Sequence, residues 1–521
     1  MLRVEDMTIE QKIGHVMCAC YVYRQPGDFE FIIDLLKKKA CTCIRLSARK
    51  SSAQEARQFR EAAGYPLLII TDMEQGYTPS GRQSIPMLTL AACANHEYTK
   101  AFAAAVASDG LAAGYTGCWS PVVDILRGNA PASVSRKAGD SPERVFEFAK
   151  DICEVFESYN FAITGKHYPG GGTDEPLDTH IQEGVCSLTE QELLDYDLVP
   201  YLKLWKLGLM PSIMTRHCVF PKIDPDYPAS LSKKVIDVIK RQGYDGLIYT
   251  DSLAMMGIMQ KYGEAESMAL ALEAGNDLVM PNCRRTVKEL YEMMLDNYKK
   301  GLISDDRLDA AVRKVLETAE RYDKKPENPY PVPENIDEIL NNIARDSITA
   351  LCDDGVSTSI PVDDKRLFIV MSDMDYDGVS EEIALGKWYS PARVKKAIKE
   401  RFPNADIETI KEYADARDNE RVLYAATAHK EVVFVTFCTT GAYMGTDCLT
   451  RRSEAVINSL VSSGKLSTIV HFGNPLALEN IKHVPRRIFG YLAPEAQVFA
   501  FDVLCGNIPA KGKNPFPKFL K

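Results

Sequence analysis

A chain of 521 residues with 45% hydrophobic and 26% charged residues holds enough apolar material for two or three full cores, which excludes a disordered or fibrous protein. Its net charge of -10, with basic residues scattered along helix-like segments, excludes general attraction to nucleic acid. No apolar run approaches the roughly 18 residues that span a bilayer, and the charged start Met1-Leu-Arg-Val-Glu-Asp has no signal-peptide core, so a cytoplasmic protein without a membrane partner is expected. Fourteen cysteines without a spaced framework are expected to be reduced thiols.

In chain order, short apolar runs alternate with amphipathic stretches. Strands are predicted at Gly14 to Tyr21, Cys41 to Leu46, Pro66 to Thr71, Tyr115 to Val123, Phe161 to Thr164, Pro211 to Met214, Gly246 to Thr250 and Asp277 to Met280. Helices are predicted at Ser51 to Ala63, Pro142 to Tyr159, Thr189 to Leu207 and Ser232 to Arg241, several opened by Ser or Thr with Glu three residues on. Strand followed by helix, repeated over about 320 residues, predicts a TIM-type (β/α)8 barrel in residues 1–322. Pro326, Pro329, Pro331 and Pro333 then stiffen an exposed connection, taken as a linker over 323–345. Beyond it, Arg366 to Met371, Glu431 to Phe437, Leu466 to Phe472 and Arg487 to Tyr491 predict a smaller α/β three-layer sandwich domain over 346–521. Whether that domain serves packing or homodimer formation stays open.

Polar residues gather where the barrel strands should end. Asp72 follows Pro-Leu-Leu-Ile-Ile-Thr, Asp124 follows Ser-Pro-Val-Val, Lys166 and His167 follow Phe161-Ala-Ile-Thr, Arg216 and His217 follow Ser-Ile-Met-Thr, and Asp251 follows Gly-Leu-Ile-Tyr-Thr. Such positions face the mouth formed by the strand-helix loops, where catalytic groups converge. Each alone could merely cap a helix. Asp251 is the best nucleophile candidate, with an N-cap as its bland alternative. Asp178-Thr-His180 is the best acid/base candidate, because a neighbouring carboxylate fixes the imidazole tautomer and stabilises its charged form. Gly170 to Gly172 let that loop bend, but they match no dinucleotide or Walker fingerprint. Cys18-Ala-Cys20 and Cys41-Thr-Cys43 could be imagined as four metal-binding thiols, yet small core residues explain them better.

These residues resemble glycoside hydrolase family 3, in its β-N-acetylglucosaminidase branch. The hallmark Lys-His-Phe-Pro-Gly-His-Gly followed by Asp-Ser-His reads here as Lys166 to Gly172 and then Asp178-Thr179-His180. Further similarity lies in Met7 to Gly14, Asp72-Met-Glu-Gln-Gly76, Ser120 to Asp124, the stretch around Arg136, Tyr249 to Met255 and Val503 to Gly512. The resemblance implies a cofactor-free, metal-free, retaining exo-β-N-acetylglucosaminidase that removes terminal N-acetylglucosamine from small glycans in cell-wall or chitin-fragment recycling. Asp251 would be the nucleophile and His180, oriented by Asp178, the acid/base. Lys166, His167, Arg136 and Asp72 match the family's sugar contacts, and Arg216 or His217 would add to them. The chain departs from the pattern at Gly171, where the family has His, at Gln75, which replaces Gly, and in a loop to Asp178 about one residue longer. The rival readings are a phosphorylase, since an imidazole would not repel phosphate; a β-glucosidase whose acid is a second-domain carboxylate; a metal-dependent hydrolase using His167, His180, His217 and Asp251; and a non-catalytic sugar-binding protein.

Overall fold

The computed structural model describes residues 2–47, 50, 52–128, 134–372, 389–438, 442, 443, 445 and 448–520. It is an α/β protein whose chain divides into two compact units, each discontinuous in sequence. The first comprises Met1–Ser84, Thr99–Arg127 and Ser141–Ile336, and the second Ile85–Tyr98, Gly128–Asp140 and Asp337–Lys521.

In the first unit, β1 (Ala19–Cys20), β2 (Cys43–Arg45), β3 (Leu68–Thr71), β4 (Gly117–Cys118) and β5 (Ala162–Ile163) form a parallel sheet in that order. After one residue the chain resumes as β6 (Gly165–Tyr168), the edge of a second parallel sheet with β8 (Ser212–Thr215), β11 (Leu247–Ser252) and β12 (Leu278–Met280). Parallel bridges Met17 to Val279 and Val122 to Lys166 tie one sheet to the other. The first bridge is flanked by amide bonds from Cys18 to Val279 O and from Val279 to Val16 O, both 2.9 Å. Inward-facing residues from both sheets meet in one buried cluster of Cys18, Cys43, Leu68, Ile70, Trp119, Met214, Leu247, Tyr249, Leu278 and Met280. Alternation along the strands explains that set, since residues two apart share a face.

A small third sheet holds β7 (Gly184–Val185), β9 (Cys218–Phe220) and β10 (Asp224–Pro228), in the order β10-β9-β7. It supports the loop between Gly170 and His180. The helices start where their caps dictate. Ser141 accepts from the Arg144 amide ahead of Pro142, and Ser232 accepts from the Val235 amide at the start of Lys233–Lys240. The stretch expected as one helix from Thr189 is a capped turn, a π turn over Leu193–Asp197 and then Val199–Lys206. Ser51, the expected start of the helix Ala53–Ala63, lies outside the described residues.

Three expectations need correction. Gly14 and His15 belong to a helix, Ile9–His15, because the Thr8 and Gln11 side chains form a capping box; only Ala19–Cys20 of that run is strand. The stretch 323–345 is no free linker. Tyr330 is tied to the Pro142–Ser158 helix end, its amide donating to Ser158 Oγ at 3.0 Å and its carbonyl accepting from Tyr159 at 2.6 Å, and a helix forms over Ile336–Asp346. The thiols are not all reduced, for Cys20 and Cys283 form a disulfide across 263 residues of sequence, leaving twelve described cysteines free. Cys18 and Cys43 are core residues in contact at 3.5 Å, and with Cys20 bonded elsewhere no four-thiol cluster exists. No described helix is long and apolar enough to cross a membrane.

The second unit holds a six-stranded sheet of β13 (Thr349–Cys352), β14 (Leu367–Ser372), β15 (Asp406–Lys411), β16 (Val432–Cys438), β17 (Leu466–Gly473) and β18 (Arg486–Phe489). Its order is β13-β18-β17-β16-β14-β15, parallel except for β13 against β18. β14, β16 and β17 are the apolar runs read from the sequence, buried along nearly their whole length. β13 and β15 carry mixed, half-exposed sequences and gave no such signal.

Candidate active site

Asp72 follows β3 directly, β6 carries Lys166 and His167, and β11 carries Asp251, and the polar contacts of the first unit draw these together. Lys166, on β6, is almost wholly buried and its ammonium contacts Asp72 Oδ1 at 2.8 Å and Glu74 Oε1 at 2.5 Å. Asp72 Oδ2 accepts from Arg45 at 2.9 Å, and the Arg45 guanidinium lies 5.2 Å from the Trp119 ring. Burial would raise the Asp72 carboxyl, but Lys166 and Arg45 outweigh it and hold it below the ordinary range. Arg45 and Glu74 were not singled out in the sequence. Arg45 does end the second predicted strand, so the strand-end argument applied to Asp72 could have found it.

Next to Lys166, His167 is fixed twice by Asp124, whose Oδ1 accepts its amide at 3.1 Å and whose Oδ2 meets Nδ1 at 2.7 Å. The peptide bonds Lys166–His167, Tyr168–Pro169 and Ser120–Pro121 are cis. His167 Nε2 faces Asp251 Oδ2 across 3.9 Å. Asp251 Oδ1 accepts the Ser252 amide at 2.7 Å. Burial pushes the Asp251 carboxyl up, but His167, His217, the Ser252 amide and His180 together bring it down to about 2. His217 is buried and engaged at both ring nitrogens, Nδ1 with Ser230 Oγ at 2.7 Å and Nε2 with the Ser252 carbonyl at 2.9 Å. The carbonyl can only accept, so Nε2 is the donor there, while Nδ1 shares a hydrogen with the Ser230 hydroxyl. Burial lowers its pKa, against the pull of Asp251.

The glycine-rich loop brings in the second pair. Asp178 is buried, and its Oδ1 accepts the His180 amide at 2.9 Å and meets His180 Nδ1 at 2.7 Å. The His180 side chain, held by Asp178 through Nδ1, is 24% exposed. The loop is held from below by Asp197, on the π turn, which accepts the Gly171 amide at 3.0 Å and pairs with Arg127 at 2.7 Å. Arg216 donates to the Gly170 carbonyl at 3.0 Å. Gly171 adopts φ +83°, and a Cβ there would stand 2.9 Å from Cys186 Sγ, so a side chain at this position has neither the backbone conformation nor the room it needs. Arg136 lies on a short turn, Val134–Arg136, of the second unit.

Among the described residues, no cluster of three or more His, Cys, Asp or Glu is arranged to hold a metal ion. The arrangement can instead offer an ionised carboxylate to an electron-poor carbon and, beside it, an imidazole backed by a carboxylate for proton transfer.

Residues 41–318, over half of the chain, match the profile of the glycosyl hydrolase family 3 N-terminal domain. The chain belongs to glycosyl hydrolase family 3. As a member of this family it is a glycoside hydrolase. It is 30% identical to a β-hexosaminidase of Xanthomonas euvesicatoria over 246 residues, covering 45% of this chain and 72% of the relative. Among solved structures of family 3, a β-N-acetylglucosaminidase from Paenibacillus sp. FPU-7 superposes with a TM-score of 0.78 at 24% identity, over 99% of this chain and 100% of that one. The β-glucoside phosphorylase BglX bound to 2FGlc superposes with a TM-score of 0.80 at 22% identity, over 99% and 95% of the two chains. At these identities the two likenesses establish the shared fold.

Proposed function

We propose that this family 3 protein is a retaining exo-β-N-acetylglucosaminidase acting on terminal, non-reducing β-linked N-acetylglucosamine. The observation that carries the reading is the ionised Asp251 with a carboxylate-backed imidazole, His180, close enough to contribute to its field. Asp251 attacks the anomeric carbon, and the C–O bond to the aglycone breaks as His180 donates its proton to the departing oxygen. In the second step His180 takes a proton from water, which attacks the glycosyl-enzyme and releases Asp251. Asp178 holds the imidazole in the tautomer with the proton on Nδ1 and stabilises its charged form.

Asp72 and Lys166, each bound by the other and by Arg45 or Glu74, are read as rigid partners for sugar hydroxyls, with His167 between them and the nucleophile. Arg136 and Arg216 keep their proposed role in sugar binding. His217, engaged at both nitrogens, is read as a residue that positions the end of β11. The two parallel sheets are read as one closed (β/α)8 barrel. The support is the strand order β1-β2-β3-β4-β5/β6-β8-β11-β12 together with the Met17–Val279 and Val122–Lys166 bridges. Its mouth would then hold every residue named above except Arg136.

A second reading, phosphorolysis, is favoured by the imidazole itself, which carries no charge to repel an incoming phosphate. The test compares release of p-nitrophenol from the β-N-acetylglucosaminide and the β-glucoside, each with and without phosphate. Strong preference for the acetamido sugar, indifferent to phosphate, is expected. Phosphate acceleration with a sugar phosphate product would replace hydrolysis by phosphorolysis. Preference for the glucoside would overturn the sugar assignment.

A further inference from the structure

The loop that carries Asp178 and His180 and the helix that follows Asp251 are in direct backbone contact. The His180 carbonyl accepts from the Met256 amide, at the start of the helix Met256–Tyr262, over 3.0 Å. One residue on, Gly257 is buried, and a Cβ built there would stand 3.1 Å from the Gln182 carbonyl oxygen and 3.2 Å from Glu183 Cα. These are main-chain atoms, which cannot rotate away as a side chain can. Further along the helix, Lys261 pairs with Glu183 at 3.4 Å, and the Tyr262 hydroxyl donates to the Asp226 carbonyl at 3.0 Å. The exposed Lys261–Glu183 pair contributes little by itself. The close contact sits at Gly257.

We infer that Gly257 is a positioning residue for proton transfer: its lack of a side chain lets the acid/base loop settle directly on the helix after the nucleophile, fixing His180 relative to Asp251. The inference rests on the assignment of those two residues proposed above. Both ends of the contact are short in sequence from the reacting groups, His180 two residues before Gln182 and Asp251 six before Gly257, so a displacement at the contact has little chain in which to dissipate. Gly257 is not in the left-handed region, so the requirement for glycine comes from the approach of the loop and not from its own backbone. In a helix, alanine is intrinsically favoured over glycine. A methyl group there therefore helps the helix while lifting the loop by a few tenths of an ångström.

The experiment measures kcat/KM of wild type, Gly257→Ala, Gly257→Val and His180→Ala on two β-N-acetylglucosaminides. One has a dinitrophenol leaving group, which departs without protonation, and the other an alkyl alcohol, which needs it. The expected result is a graded, selective loss on the alkyl substrate, about 10-fold for Gly257→Val and less for Gly257→Ala, with the dinitrophenyl substrate little changed, given that a 1 Å misplacement costs about 10²-fold. A purely structural effect lowers both substrates equally and overturns the inference. So does wild-type behaviour of Gly257→Val while His180→Ala shows the selective loss. If His180→Ala is itself unselective, the acid/base assignment fails first and the inference falls with it, which separates the two failures.

Discussion

Asp251 is a carboxylate whose pKa burial raises and three imidazoles and its neighbour's amide bring back down, to about 2. Asp251→Ala is expected to abolish turnover, and His180→Ala to lower it by roughly 10² to 10⁴, most on poor leaving groups. Full activity in either variant would refute the assignment. The pH dependence follows from the sign of the shift. A carboxyl at about 2 stays ionised as pH falls through the usual carboxylate range, so Asp251 gives no acid limb there. In His180→Ala, which removes only the smallest of the named lowering effects, kcat/KM should still run flat through about pH 4, the ordinary titration range of aspartate; a limb at that pH would mean that the nucleophile is not held as described. Asp72, Lys166, His167 and Asp251 were legible in sequence because each is a polar residue ending an apolar run, a pattern the core alone does not produce. Glu74 was not, because it lies past the strand end and its role arises only from Lys166, far along the chain, reaching back to it.

At the scale of elements, the disulfide joins the end of β1 to the loop after β12, the first and last strands of the two parallel sheets. Neither its sequence spacing nor the composition around it announces the bond; the two cysteines become neighbours only because Met17 pairs with Val279 and sets β1 beside β12. A bridge closing 263 residues restricts the unfolded chain strongly, by about 5.6 kcal/mol in the chain-entropy account. Thiol titration of the denatured, unreduced protein should find two fewer thiols than after reduction, and Cys283→Ser should lower the melting temperature. Equal thiol counts before and after reduction would show that the bond does not form. The same scale explains the helix at Ile9–His15. Its last two residues, Gly14 and His15, were read as strand because the apolar run that follows them continues into β1, whereas the Thr8–Gln11 capping box sets the helix from its start.

Across the whole molecule, buried histidines recur in one arrangement. His15 in the first unit sets Nε2 against the Lys39 carbonyl at 3.0 Å and Nδ1 against Thr42 Oγ1 at 2.6 Å. His471 in the second sets Nε2 against the Asn474 carbonyl and Nδ1 against Thr436 Oγ1, both at 2.7 Å. A carbonyl on one nitrogen and a threonine hydroxyl on the other suit the neutral ring, with Nε2 donating and Nδ1 accepting. Burial brings both pKa values from 6.5 down to about 4, against smaller help from the backbone bonds. Below pH 6.5 the unfolded chain takes up a proton at each site that the folded chain refuses until about pH 4, so each unit loses stability as pH falls through that window. One proton corresponds to about 1.4 kcal/mol per pH unit. Asp28 and Asp277, raised by burial, act in the opposite sense from their ordinary 3.8 upward, so the wild-type slope alone does not isolate the histidines. A variant does. Urea unfolding of wild type and His15→Gln between pH 7 and 5 should give slopes that differ by about one proton, the variant being the flatter. Coincident slopes would mean that His15 titrates in the folded protein as it does in the unfolded chain.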